Sequence, residues 1–89
     1  MSYFILLVFA ILIIEPKAAQ SQSNLLESVK RNPTEAINLC KRFRVLNSKG
    51  ISATSEDSLK EIMSKKNLSK LDADIFSTYV IGLNCPDVK

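Results

Sequence analysis

The chain opens with twelve consecutive apolar positions, Tyr3 to Ile14, and no comparable run follows. Beyond Asn24 the apolar residues recur at the three- and four-residue spacing of amphipathic helices, and the breaks between them carry capping chemistry. A first short helix is expected from Asn24 to about Arg31, with Leu25, Leu26 and Val29 on one face. Asn32-Pro33-Thr34-Glu35 then reads as a start signal: Asn32 as cap, Pro33 at the first helical position, and Glu35 three after the cap facing the free amides. Ala36, Ile37, Leu39, Cys40, Phe43 and Leu46 form the apolar face of that second helix, and Gly50 is its terminator. Thr54-Ser55-Glu56-Asp57 opens a third helix with a hydroxyl cap and an acidic first turn. Its stripe is narrow, Leu59, Ile62 and Met63, and Lys65 and Lys66 close it. Ser69 caps a last helix, about Lys70 to Asn84, with Asp72 at its third position and Leu68 placed to staple onto Ala73. Leu71, Ile75, Phe76, Tyr79, Val80 and Leu83 give this helix the widest apolar arc, which predicts the central position, and Pro86 stops it. No alternating β-type run occurs, so the expected fold is all-α, a compact bundle of three to four short helices.

The apolar run itself is too short to span a bilayer, which needs about 17–25 residues. It suits the apolar region of a secretory signal, and the small residues in Ala19-Gln20-Ser21 offer a cleavage site after Ser21. No Lys or Arg precedes the run, so the terminal amine alone supplies positive charge there. Residues 1–21 are therefore read as a signal peptide and 22–89 as one helical domain, secreted or periplasmic, with an uncleaved anchor or a buried helix as the alternative. That division changes the composition: 15 of the 41 hydrophobic residues fall in the first 21 positions, leaving about 38% in the remainder. A core of that size stabilises only a few kcal/mol on its own.

Both cysteines, Cys40 and Cys85, lie in the domain. An even count in a short exported chain reads as a disulfide, and closing so long a loop is worth about 4 kcal/mol in the chain-entropy model. The alternatives are an intermolecular bridge or two free thiols. A bridge within the chain would pin the C-terminal end onto the middle of the second helix, with the third helix crossing between.

Candidate chemistry is sparse. The chain has no histidine, which removes Ser-His-Asp and Cys-His relays and His-ligated metal centres. The acidic pairs Glu56-Asp57 and Asp72/Asp74 sit in helix first turns, where the helix dipole accounts for them. Gly50 and Gly82 stand too far apart to form a phosphate loop. Catalytic residues, cofactor ligands and metal ligands are all expected to be none. Lys41, Arg42, Arg44 and Lys49 form a basic cluster without a single stripe and with only Phe43 interleaved, so nucleic acid is not an expected partner. Gly82, inside a helix at a cost of about 1 kcal/mol relative to Ala, calls for a reason: a close backbone approach or an early helix end. Asn67-Leu68-Ser69 matches a glycosylation sequon and doubles as a helix junction.

The combination of Leu39-Cys40, a Gly-containing linker, Asn67-Leu68-Ser69 with Asp72-Ala73-Asp74, and Tyr79-Val80-Ile81-Gly82-Leu83-Asn84-Cys85-Pro86 resembles uncharacterised small exported proteins of marine cyanobacteria, which end in a similar Gly-Leu-x-Cys-Pro-Asp-Val. It is more distantly similar to an actinobacterial secreted helical domain of unknown function; the late aromatic here, Tyr79, stands further ahead of Cys85 than in that pattern. The resemblance covers about residues 25 to 88 and implies a disulfide-linked helical domain without bringing an activity. The expected function is an exported, non-enzymatic helical protein that binds a protein or envelope component. The alternative is a small cationic membrane-active or lipid-surface-binding protein, given the net charge of +3. Membrane contact in the first reading comes only through the signal segment, or weakly through the basic residues.

Overall fold

Four helices account for the regular structure: α1 (Lys17–Arg31), α2 (Pro33–Ser48), α3 (Glu56–Lys66) and α4 (Lys70–Asn84). The structure is a computed structural model and describes residues 17–89, with side chains from Asn24 onward. The apolar segment Tyr3–Ile14, read as the heart of a signal peptide, lies outside the described residues. Among those described, no strand occurs and no helix is long and apolar enough to cross a membrane.

The caps set most of the boundaries. Ser55 Oγ accepts from the Ser58 amide at 3.3 Å and Ser69 Oγ accepts from the Asp72 amide at 3.1 Å, starting α3 and α4 where hydroxyl caps are expected. Asn67, at φ 54°, ends α3 in the left-handed region while the Leu68 amide donates to Met63 O at 3.1 Å. Gly50, at φ +76°, supplies the same conformation after α2.

Two boundaries differ from expectation. The first helix starts at Lys17 rather than Asn24, because Ala, Gln and Lys favour helix and neither Gly nor Pro interrupts residues 17–31. Asn32 sits at the cap position of α2, but its side chain makes no capping bond. Its Nδ2 instead donates to Ser28 O at 2.9 Å, closing the end of α1, which abuts α2 with a single residue between.

α4 is the central helix and packs against all three others, while α1 also touches α2. Its buried face is Ala73, Phe76, Ser77 and Val80, each at 0% exposure, and the core around it includes Leu25 and Val29 of α1, Ala36, Cys40, Phe43 and Leu46 of α2, and Leu59 and Ile62 of α3. Two members of its expected apolar arc, Leu71 and Leu83, lie outside that face at 67% and 53% exposure. Ser77, a polar residue absent from the expected arc, is buried because its hydroxyl donates to Ala73 O one turn back at 2.8 Å.

Cys40 and Cys85 form the expected disulfide within the chain. The bridge does pin the end of α4 onto the middle of α2, but α3 does not cross between: it packs on α4, and the backbones of α2 and α3 do not approach each other. The chain after Cys85 turns back across the loop between α2 and α3. Val88 is buried there, Ala53 N donates to Lys89 O at 2.8 Å, and Asn47 clasps Lys89 by accepting from its amide at 2.7 Å and donating to its carbonyl at 2.8 Å.

Candidate functional site

Because α2 and α3 both lean on α4 with their backbones apart, a groove of about 530 Å³ remains between them. That volume is within the range of small-ligand and peptide-side-chain pockets. Its α2 wall is Thr34, Glu35, Asn38, Leu39 and Arg42, its α3 wall is Glu61, Ile62, Lys65 and Lys66, and Phe76 of α4 lies at its floor. The walls follow from helix periodicity. Residues 35, 38, 39 and 42 share one side of α2, next to the buried Ala36/Cys40/Phe43 stripe, so they rise from the core to the surface.

Ion pairs bridge the groove at two levels. At one end Lys66 Nζ lies 2.9 Å from Glu35 Oε1 and 5.2 Å from the centre of the Phe76 ring, placing a cation over the apolar floor. At the other, Glu61 holds Lys65 at 3.0 Å along α3 and Arg42 at 3.4 Å across from α2. The Lys65 hydrogen bond, reinforced by the charge of Lys65 and of Arg42, keeps the Glu61 carboxyl below its ordinary value against a small desolvation cost. Three cations face two carboxylates along these walls, so the groove carries a positive excess over an apolar base of Leu39, Ile62 and Phe76. Arg42 and Glu61 also border a smaller depression of about 240 Å³ toward Lys49 and Asp57.

The basic cluster singled out from the sequence does not act as a unit. Arg42 belongs to the groove, whereas Arg44 leaves it to bind Asp87 through Nε and Nη2, both at 3.0 Å. That fork raises the Arg44 pKa and holds the Asp87 carboxyl below its usual range, in each case chiefly through the hydrogen bonds between them. Lys41 is exposed on α2 and Lys49 caps its end. The acidic pairs are likewise dispersed. Glu56 pairs with Lys70, whose hydrogen bond lowers its pKa, and Asp72 receives no partner from Asp74. Among the described residues, no three His, Cys, Asp or Glu side chains converge as a metal would require.

The groove was not foreseen from the sequence. Leu39 and Ile62 read there simply as core positions, and Arg42 and Glu61 are 19 residues apart with nothing in the pattern to pair them. A partial signal was present: Asn38 and Arg42 flank Leu39 on α2 as Glu61 and Lys65 flank Ile62 on α3, so each apolar residue is set at a polar border.

Fold and groove together define a small disulfide-linked helical domain with an open, charge-bridged furrow. Residues 26–85 match the domain of unknown function DUF8664, and the chain belongs to that family. No curated protein matches the chain, and neither does any solved structure.

Proposed function

We propose that the protein is an exported, non-enzymatic binding module that takes an acidic, apolar-anchored segment of a partner protein in the groove between α2 and α3. The observation that carries this reading is the groove itself: an apolar base of Leu39, Ile62 and Phe76 under walls with three cations and two carboxylates. An apolar side chain would fill the base, and a flanking carboxylate would be met by Lys65, Lys66 or Arg42, trading one exposed ion pair for another at little cost. Export is supported by the disulfide, since such bonds persist in oxidising compartments. Cleavage after Ser21 would shorten α1 but keep Leu25, Val29 and every other buried residue among those described.

Site-specific photo-crosslinking in the cell envelope tests the proposal. A photoreactive side chain at Asn38, inside the groove, should form an adduct that one at Lys60, on the outer side of α3, does not. The crosslinked peptide should carry Asp or Glu beside an apolar residue, and Lys65→Glu should remove the adduct. Recovery of free monomer alone, adducts of equal yield at both positions, or adducts with lipid only would each overturn it. Mass determination of the N-terminus in the same fraction tests export, and a chain still starting at Met1 would contradict the cleaved signal.

A further inference from the structure

The two arginines of α2 are held unequally. Arg44 is saturated: its Nε and Nη2 both donate to Asp87 at 3.0 Å, the two-pronged geometry in which a guanidinium binds a carboxylate best. Arg42 makes a single hydrogen bond, Nη2 to Glu61 Oε2 at 3.4 Å, and among the described residues its Nε and Nη1 donate to nothing. Glu61 in turn favours Lys65, which lies closer, at 3.0 Å from its other oxygen, and is the leading cause of its lowered pKa. Lys66 is engaged twice, by Glu35 at 2.9 Å and by the Phe76 ring. Of the three cations along the groove, Arg42 is therefore the surplus one, with its side chain 48% exposed.

Its position adds a second constraint. Arg42 lines both the groove and the smaller depression toward Lys49. Leu39 stands three residues before it and Leu46 four residues after, so the three follow one another along one side of α2. Leu39 belongs to the apolar base of the groove with Ile62 and Phe76, whereas Leu46 and Ile51 line the depression. At 1.5 Å per residue the two leucines lie about 10 Å apart along the helix axis, with the guanidinium between them. A chain that ended in a carboxylate at Arg42 would leave one of these apolar hollows unfilled. A chain that carries the carboxylate on a side chain can continue on both sides and fill both.

We infer that Arg42 is the carboxylate receptor of this site, and that the partner segment it selects carries Asp or Glu between two apolar side chains about 10 Å apart, roughly three residues of extended chain. This rests on the groove being the binding site and narrows which of its cations reads the acid. Nη2 carries two N–H groups, of which Glu61 uses one. The other completes a two-pronged edge with Nε or Nη1, so Arg42 can take an incoming carboxylate without releasing Glu61. Lys65 assists by occupying Glu61, which would otherwise be free to close on Arg42. A lysine at position 42 would bring the same charge but no such edge, so the selectivity belongs to the guanidinium and not to the positive excess of the walls.

Nuclear magnetic resonance titration of the oxidised chain tests this with three peptides of identical leucine spacing. The first is acetyl-Gly-Leu-Glu-Gly-Leu-Gly-amide, the second has Gln in place of Glu, and the third, acetyl-Gly-Leu-Gln-Gly-Leu, carries its acid only as a free C-terminal carboxylate. The Glu peptide should shift the Arg42 Nε–H signal together with the methyl groups of Leu39 and Leu46, with Kd in the millimolar range or below. The Gln peptide should bind about tenfold more weakly, and the peptide with the terminal acid about fivefold. Arg42→Lys should weaken the Glu peptide about fivefold and shrink its lead over the Gln peptide. Arg44→Lys, outside the groove, should change neither. Undiminished binding of the Glu peptide by Arg42→Lys overturns the inference. So does tighter binding of the peptide with the terminal acid, or movement of Leu39 and Ile62 with none at Arg42; the groove would then still be a binding site. No shift at any of these groups up to about 10 mM peptide overturns the groove reading as well.

Discussion

The two ends of α2 are held by different physics. From its midpoint onward the helix is locked: Cys40 is bonded to Cys85, Phe43 is 1% exposed, and Asn47 clasps Lys89 and donates to Ile51 O at 3.0 Å. Its N-terminal half borders the open groove, and the ties to α3 across that groove are partly exposed ion pairs, Glu35–Lys66 in the first turn of α2 and Arg42–Glu61 just past its middle. Covalent and buried contacts are strong and indifferent to small changes of solvent, whereas exposed pairs are worth about 0–1 kcal/mol and exchange readily. A small domain that concentrates its stability at one end can leave the other end available for binding.

The largest test of this contrast is reduction of the bridge. With cysteines 45 residues apart, losing Cys40–Cys85 should cost about 4 kcal/mol, most of the stability expected of so small a core. Denaturant melts of the oxidised and reduced chain measure it directly. A loss below 1 kcal/mol would mean that the rest of the locked end suffices without the bridge.

Next in size is Asn47→Ala, which removes the hydrogen bonds to Ile51 O, to Lys89 O and from the Lys89 amide and should cost about 1–2 kcal/mol. Hydrogen exchange localises the effect. The Ala53 amide, bonded to Lys89 O, should lose protection, while amides of the α2 N-terminal half remain unchanged. Exchange that rises equally at both ends of α2 would erase the distinction between them.

How much of this was legible in the sequence depends on whether the deciding contact is local. Ser55, Ser69, Asn67 and Gly50 act within four residues of themselves, and α3 and α4 begin, and α2 and α3 end, where those residues indicate. The cysteine pairing was legible too, since two cysteines allow one bridge within the chain. Asn32 was misread because two helix ends compete for its side chain, and the Ser28 carbonyl behind it prevails over the amides ahead. The groove, the Arg44–Asp87 fork and the Asn47–Lys89 clasp join residues 19 to 43 positions apart, and periodicity does not encode such pairings. α4 shows a further limit. Hydrophobic spacing marked Leu71 and Leu83 as apolar, but only the placement of α1, α2 and α3 decides which half of the helix is covered.

At the open end the expected effects are smaller. Glu35→Gln removes the Lys66 partner and should cost about 0.5 kcal/mol or less, because both side chains remain partly hydrated. It should nonetheless free Lys66 and tighten binding of an acidic peptide in the groove, a gain readable by titration calorimetry. A stability loss above 2 kcal/mol would show that this pair is structural and place the open end in the same class as the locked one.

Acid separates the two ends with the least perturbation. Glu61 and Asp87 both titrate below the ordinary carboxylate values, Glu61 through Lys65 first and Arg42 second, Asp87 through Arg44 first. A carboxyl whose folded pKa is depressed contributes stability that is present above its unfolded value and lost as pH falls through the folded one. The chain has no histidine, so Tm should stay level between about pH 5 and 8 and decline only below about pH 4. The decline should be shallow, since the groups concerned are solvent-exposed and salt screens them. Its location is the informative part. In the locked half of α2 the disulfide does not titrate, so amides around Cys40 should keep their protection at pH 3 even as Asp87 releases Arg44. Across the groove, protonating Glu61 releases Lys65 and Arg42 together, and no covalent contact takes over. Exchange at pH 3 should therefore rise along the groove walls first, and Glu61→Gln should reproduce that pattern at pH 7 and flatten the remaining acid response. Protection lost equally around Cys40 and around Asn38 would mean that the bridge does not isolate one end of α2 from the other.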